Sequence, residues 1–107
     1  MHLIFKFIKK LVSGKPEWKA IPPGSPDGAL FWRKSIYGSY KVIETVGLDK
    51  SGHSYWVIVS LFHRGLLVGR SGRNKLTEIQ RAEEVSSELF KVLTKQVGER
   101  FSRLLPA

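Results

Sequence analysis

Residues 29–69, ALFWRKSIYGSYKVIETVGLDKSGHSYWVIVSLFHRGLLVG, decide the fold. Apolar and polar side chains alternate with a period of two along 29–36, 39–47 and 54–62, and GLLVG (65–69) adds a short fourth run. Alternation in segments rich in β-branched and aromatic residues specifies strands. Tyr37-Gly38, the Asp49–Gly52 stretch and His63–Gly65 supply turn chemistry, so neighbouring strands are expected to pair antiparallel. The connections are too short for crossover helices, which excludes a parallel sheet.

The same alternation assigns faces. Trp32, Ile36, Tyr40, Val42, Val46, Tyr55, Val57, Val59 and Leu61 fall on one face, nearly all apolar and expected to meet a helix. Phe31, Arg33, Tyr37, Lys41, Ile43, Trp56, Ile58 and Phe62 fall on the other. There aromatic and basic residues mix, as on a platform that stacks bases and holds phosphates. A sheet apolar on both sides can equally be covered on both sides. Partial cover is expected, leaving the loop ends and a basic rim available.

C-terminal to the strands, residues 70–75 read as a basic loop and residues 76–105 as a helix. Leu76, Ile79, Ala82, Leu89, Phe90, Leu93, Val97, Phe101 and Leu104 share one face of a helical projection. N-terminal to the strands, residues 14–28 read as a linker. Pro16, Pro22, Pro23 and Pro26, with Gly14, Gly24 and Gly28, break every period, while Trp18 and Ile21 are candidate anchors to the core. Residues 1–13, MHLIFKFIKKLVS, project as a basic amphipathic helix with a wide apolar face. Its expected role is to pack on the domain, where it is the obvious cover for the second sheet face. The alternative is contact with a membrane surface or a partner groove through Ile4, Phe5, Phe7 and Ile8, with Lys6, Lys9 and Lys10 on the polar strip. The expected architecture is α+β: one domain over 1–107, with an antiparallel meander of three or four strands and a long C-terminal helix on one face. A short N-terminal helix and the linker precede it.

Composition bounds the chemistry. Among 107 residues there are eighteen Lys and Arg against nine Asp and Glu, a formal charge of +9, and no Cys. Disulfides, cysteine-zinc sites, iron–sulfur clusters and cysteine nucleophiles are thereby excluded. The absence of Cys fits a cytoplasmic protein, and no apolar run approaches the ~18 residues a membrane span requires. Residues 1–39 carry a net +5, residues 40–74 a net +3 and residues 75–107 only +1, so the excess lies outside the long helix. A field this one-sided favours nucleic acid, an anionic membrane or an acidic protein as partner.

The strongest anion signal is VGRSGRNK (68–75). Arg70, Arg73 and Lys75 accompany Ser71, Gly72 and Asn74, and the expected helix start at Leu76 and Thr77 would aim backbone N–H groups at the same place. It is not a phosphate loop of the nucleotide-hydrolysing kind, since Asn74 stands where the second glycine is needed. His2, His53 and His63 have no ligand partner at helical spacing, so neither a metal nor another cofactor is expected. No carboxylate, histidine or serine constellation argues for an enzyme.

Residues 40–93 resemble the double-stranded-RNA-binding domain in their order of three antiparallel strands and a long helix. Gly47 to His53 looks like that family's first strand loop, and GRSGRNK (69–75) like its basic turn at the final helix. The chain departs from the family at Asn74-Lys75-Leu76, where paired lysines are usual, and at Glu78, Ile79 and Leu89, where a small-residue helix face is usual. The strands-then-helix order is similar also to small single-strand-binding folds of the PUR kind. These likenesses cover about half the chain and imply only that the architecture suits nucleic-acid work.

The expectation is a non-enzymatic, largely sequence-independent nucleic-acid-binding protein, for RNA or DNA. Arg70, Arg73 and Lys75 would contact phosphates and Arg33, Lys34, Lys41 and Arg64 would extend the rim. Trp56, Tyr37 and Phe62 would stack bases if the second face is open. The alternative is a protein-interaction or inhibitor module, membrane-associated through residues 1–12, and self-association into a homodimer is a further possibility.

Overall fold

The structure, a computed structural model, describes residues 16–22 and 24–98. The expected helix over 1–13 and the expected helical residues beyond 98 lie outside the described residues. Five strands form one antiparallel sheet in the order β1-β2-β3-β4-β5: β1 (Lys19–Ala20), β2 (Ala29–Tyr37), β3 (Tyr40–Leu48), β4 (Tyr55–His63) and β5 (Leu66–Leu76). A turn of 3-10 helix (Ile79–Arg81) leads into α1 (Ala82–Val97). The class is α+β as expected, with five strands rather than three or four. The extra strand comes from the linker, where Ile21 N–H donates to the Leu30 carbonyl and Lys19 pairs with Trp32. Trp18 anchors that segment and is buried.

Residues 70–75 are a second correction. They continue β5, which pairs with β4 from His63↔Leu66 to Tyr55↔Leu76, and are not a loop. Backbone pairing to a long, apolar β4 outweighs the turn-like composition of Ser71-Gly72 and Asn74. The long helix also starts later than its apolar spacing suggests, because Leu76 closes β5 and Thr77 and Glu78 turn the chain before the 3-10 segment.

The third correction concerns β2. The hairpin turns at Gly38-Ser39, with Tyr37 opposite Tyr40, one residue later than the sequence reading placed it. Side chains alternate strictly, so a one-residue shift exchanges the faces of the strand. Phe31, Arg33, Ser35 and Tyr37 therefore point toward α1, beside Tyr40, Val42, Glu44 and Val46, while Trp32, Lys34 and Ile36 point away.

The core lies between the sheet and α1. Val42, Val46, Val57, Val59 and Leu61 meet Ala82, Val85, Leu89 and Leu93 from the helix. Each valine or leucine side chain so withdrawn from water contributes about 1.5–3 kcal/mol before entropy is counted. The helix holds its spacing through Ala82, Val85, Ser86, Leu89 and Leu93, all on its buried face.

Candidate functional site

No described element covers the opposite face of the sheet. Strand register arranges its side chains in rows: Trp32, Thr45, Ile58 and Gly72; then Lys34, Ile43, Ser60 and Arg70; then Ile36, Lys41 and Phe62. Lys34 and Arg70 thus stand at the two ends of the middle row, three strand spacings or about 14 Å apart. Arg70 Nε donates to Ser60 Oγ at 3.3 Å, which leans the guanidinium over the sheet. Lys41 Nζ sits 5.3 Å from the Phe62 ring centroid and Lys19 Nζ 5.1 Å from that of Trp32, so cations ride directly on aromatic faces.

Trp56 is paired directly across β3–β4 with Gly47. A methyl group at Gly47 would lie 2.0 Å from Trp56 Cζ2, 2.2 Å from Cε2 and 2.7 Å from Cη2. An edge-on indole would hold Cε2 and Cη2 equally far and both well beyond Cζ2. The observed pattern is that of a ring face, so the indole lies flat on the glycine and turns its other face outward. Two adjoining cavities, of about 650 and 320 Å³, both have Trp56, Ile58 and Asp27 in their walls. The smaller extends to Phe62 and Arg70, the larger to Asp49, Arg73 and Asn74.

The loop carrying Asp27 is drawn against the end of β3. Leu48 N–H donates to the Gly28 carbonyl at 2.8 Å, and Gly28 has φ +78° with its missing side chain 2.3 Å from the Leu48 carbonyl oxygen, so only glycine fits. Asp27 Oδ1 accepts from Ser25 Oγ and the Ala29 N–H; Asp49 Oδ2 accepts from Ser51 Oγ and its N–H. The serine hydroxyl foremost, and then the backbone N–H, hold each carboxyl below its ordinary pKa. A lowered folded-state value means that these bonds stabilise the loops fully above the ordinary carboxylate pKa. Their contribution is lost as pH falls through the lowered value. A carboxyl-carbon NMR titration is expected to give both residues midpoints below the usual ~3.9. Equal or higher midpoints would show that the serine bonds do not form in solution.

The structure separates the side chains that the sequence reading had grouped. Arg70 and Arg73 alternate to opposite faces of β5; Arg73 turns to the helix side and pairs with Glu88 at 2.9 Å. That pair is about half exposed and contributes no more than about 1 kcal/mol. Lys75 is exposed at a β-bulge with φ 62°. The helix start is not aimed at these residues, since the first turn of α1 begins at Ala82 and carries Glu83 and Glu84. Arg64, with Gly65 at positive φ, makes the tight β4–β5 turn at the far end of the sheet. Tyr37 is on the helix side, stacked on Phe90 at 5.9 Å. Lys34, Lys41, Trp56 and Phe62 are on the open face.

Arg33 is the plainest displacement. It is fully buried between sheet and helix, donating from Nε and Nη2 to both oxygens of Glu44 at 2.6 and 2.9 Å and from Nη2 to Glu83 at 2.7 Å. Burial alone would lower its pKa, but the bonds to Glu44 and Glu83 more than offset that and raise it. A guanidinium so held offers nothing to a ligand. Glu44, Gly47, Asp27, Asp49 and Trp32 are not among the contacts expected from the sequence. The hairpin would have disclosed Glu44, because residues equidistant from Gly38-Ser39 face each other and Arg33 is opposite Glu44.

Among the described residues no three His, Asp or Glu side chains converge on a possible metal site. No described helix is long and apolar enough to cross a membrane. Comparison with protein families, curated proteins and solved structures gives no match, so the open face has to be read from its own geometry.

Proposed function

We propose that the chain binds single-stranded nucleic acid across the open face of its sheet. The observation that carries this reading is the pairing of flat or cation-capped aromatic rings, Trp56 and Phe62, with Lys34, Lys41 and Arg70 on one surface that no described element covers. Stacking on exposed rings needs unpaired bases, and a row of cations needs a polyanion. Phosphates would follow Lys34, Lys41 and Arg70, while bases would lie on Trp56, since Lys41 already caps the Phe62 ring. No enzymatic step is part of this reading.

The test is fluorescence anisotropy with short single- and double-stranded DNA and RNA, at roughly 50 and 200 mM salt. Single strands should bind more tightly than duplexes, and binding should weaken steeply with salt. The combined variant Lys34→Gln, Lys41→Gln, Arg70→Gln should lose about tenfold in affinity and flatten the salt slope by about 2. A variant that binds like the parent would remove these side chains from the interface. If no nucleic acid binds at low salt, the reading fails.

A second reading, a protein-interaction module, is favoured by one observation. Leu66, Leu67 and Val68 are exposed, with Leu66 73% exposed, on β5, an edge strand among the described residues. Edge strands with apolar side chains invite pairing with another chain. Concentration-dependent sedimentation without nucleic-acid binding would favour this reading.

A further inference from the structure

We infer that the end of the sheet carrying the turns Gly38-Ser39 and Arg64-Gly65 docks on an anionic lipid bilayer, its aliphatic side chains entering the headgroup boundary. This goes beyond single-strand binding and stands without it. Two separate properties single out this end. Ile36, Leu66, Leu67, Val68 and Val92, the large aliphatic side chains left most open among the described residues, are each at least 45% exposed. All of them lie within residues 34–43, 60–70 and 89–97. The same stretches hold Lys34, Lys41, Arg64, Arg70, Lys91 and Lys95, and not one Asp or Glu.

The fold gathers these stretches. Arg64 N–H donates to the Ser39 carbonyl at 3.1 Å, which sets the two turns side by side. Next to them Ile36, Lys41, Phe62 and Leu67 form one cross-strand row on the open face. A methyl group at Gly69 would lie 3.1 Å from Leu93 and 3.7 Å from Val97, so the last turns of α1 lie against the same end. The carboxylates that border these stretches, Glu44 and Glu88, are already held by Arg33 and Arg73. Asp27 and Asp49 belong to the opposite end of the sheet, around Leu48.

The chemistry selects the occupant. Exposed aliphatic side chains rimmed by charged ones mark a contact with a protein or a membrane. Nucleic acid gives Leu66, Leu67 and Val68 no role, because they offer no ring on which a base can stack. A second copy docked through the same end would set cations against cations, with no carboxylate there to meet them. A bilayer satisfies both properties at once. Anionic headgroups attract every cation, and the acyl boundary beneath them takes aliphatic side chains of any shape. The side chains flank two-residue turns, between Tyr37 and Tyr40 and between His63 and Leu66, and such tips enter a deformable surface without needing a matching groove. Lipid and nucleic-acid phosphates would compete for Lys34, Lys41 and Arg70, so the aliphatic residues are the ones that tell the two apart.

The experiment floats the full chain with vesicles of phosphatidylcholine, alone or with about one quarter phosphatidylserine. The mixed vesicles should bind at least about a hundredfold more tightly, and the difference should fade as salt is raised. The combined variant Leu66→Gln, Leu67→Gln, Val68→Thr should lose about tenfold or more on mixed vesicles, with circular dichroism and any oligonucleotide affinity unchanged. Because the chain has no Cys, Leu67→Cys and Lys50→Cys each accept one environment-sensitive dye. Mixed vesicles should shift its emission to the blue at position 67. They should not do so at position 50, in the turn closed by the Gly52 N–H to Asp49 carbonyl bond at the opposite end. Equal binding to both vesicles, undiminished binding by the combined variant, or a silent dye at position 67 would each overturn the inference. So would a blue shift there that grows with protein concentration in the absence of lipid, which would assign these side chains to a second copy.

Discussion

Replacing Glu44 with leucine is expected to cost about 3–5 kcal/mol, the largest loss foreseen for any single residue of this fold. Arg33 is closed off from water, and Glu44 supplies two of its three charge-assisted bonds. Ser86 Oγ donates to the same carboxylate from α1, and Trp18 Nε1 donates to Glu83 at 3.1 Å while its ring lies 4.2 Å from the Arg33 guanidinium. One network thus ties β2, β3, the β1 segment and the helix. Arg33 Nη1 already lacks a partner among the described residues, so the guanidinium has no spare bonds to redistribute. Removing Glu44 leaves a buried cation facing only Glu83, and its desolvation is no longer offset. Urea unfolding should show the loss as a shift in midpoint at unchanged slope. The double variant Arg33→Met, Glu44→Leu should recover most of the loss, since apolar packing replaces a buried pair at little net cost. A single-variant loss below about 1 kcal/mol would mean that water reaches the guanidinium, and would overturn its role as a buried charge.

That network marks the limit of what the sequence discloses about this fold. Strand existence was legible because Val57, Val59 and Leu61, or Val42 and Val46, alternate with little competition. The helix was legible because Ile79, Ala82, Leu89 and Leu93 keep helical spacing. Neither signal depends on a neighbour. The face of β2 does depend on one: in ALFWRKSIY both alternate sets contain a large aromatic, so hydrophobicity does not choose between Phe31 and Trp32. The choice is made by the position of the Gly38-Ser39 turn, where a shift of one residue exchanges the faces, and by Glu44 and Glu83 on the helix side of Arg33. The basic segment 70–75 failed for a related reason. Glycine, serine and asparagine read as a loop until β4 is available to pair with them, and strand alternation then sends Arg70 and Arg73 apart. Of the expected ligand contacts, those that stayed together on the open face, Lys34, Lys41, Trp56, Phe62 and Arg70, come from four different strands, and their proximity is a product of register. No linear motif encodes it.

Gly47→Ala isolates the part of the surface on which the proposed single-strand binding depends. In an ordinary strand this substitution stabilises, because glycine loses more conformational entropy on folding, by roughly 0.5–1 kcal/mol relative to alanine. Gly47 lacks the positive φ that would forbid a side chain, so its backbone accepts alanine. The sign should nonetheless invert, to a loss of about 1–3 kcal/mol, because the new methyl would occupy the position of the Trp56 ring and the indole must leave the sheet. Displacement should shift tryptophan emission to the red and weaken single-strand binding about tenfold or more, as stacking on a positioned ring is lost. The cause is separable by a double-mutant cycle. In a Trp56→Leu background the methyl meets no ring, so Gly47→Ala should cost far less stability and change binding little further. If the two substitutions instead add independently, the indole does not rest on Gly47 in solution. The stacking platform would then have to be sought at Phe62 or Trp32, where a lysine already covers the ring.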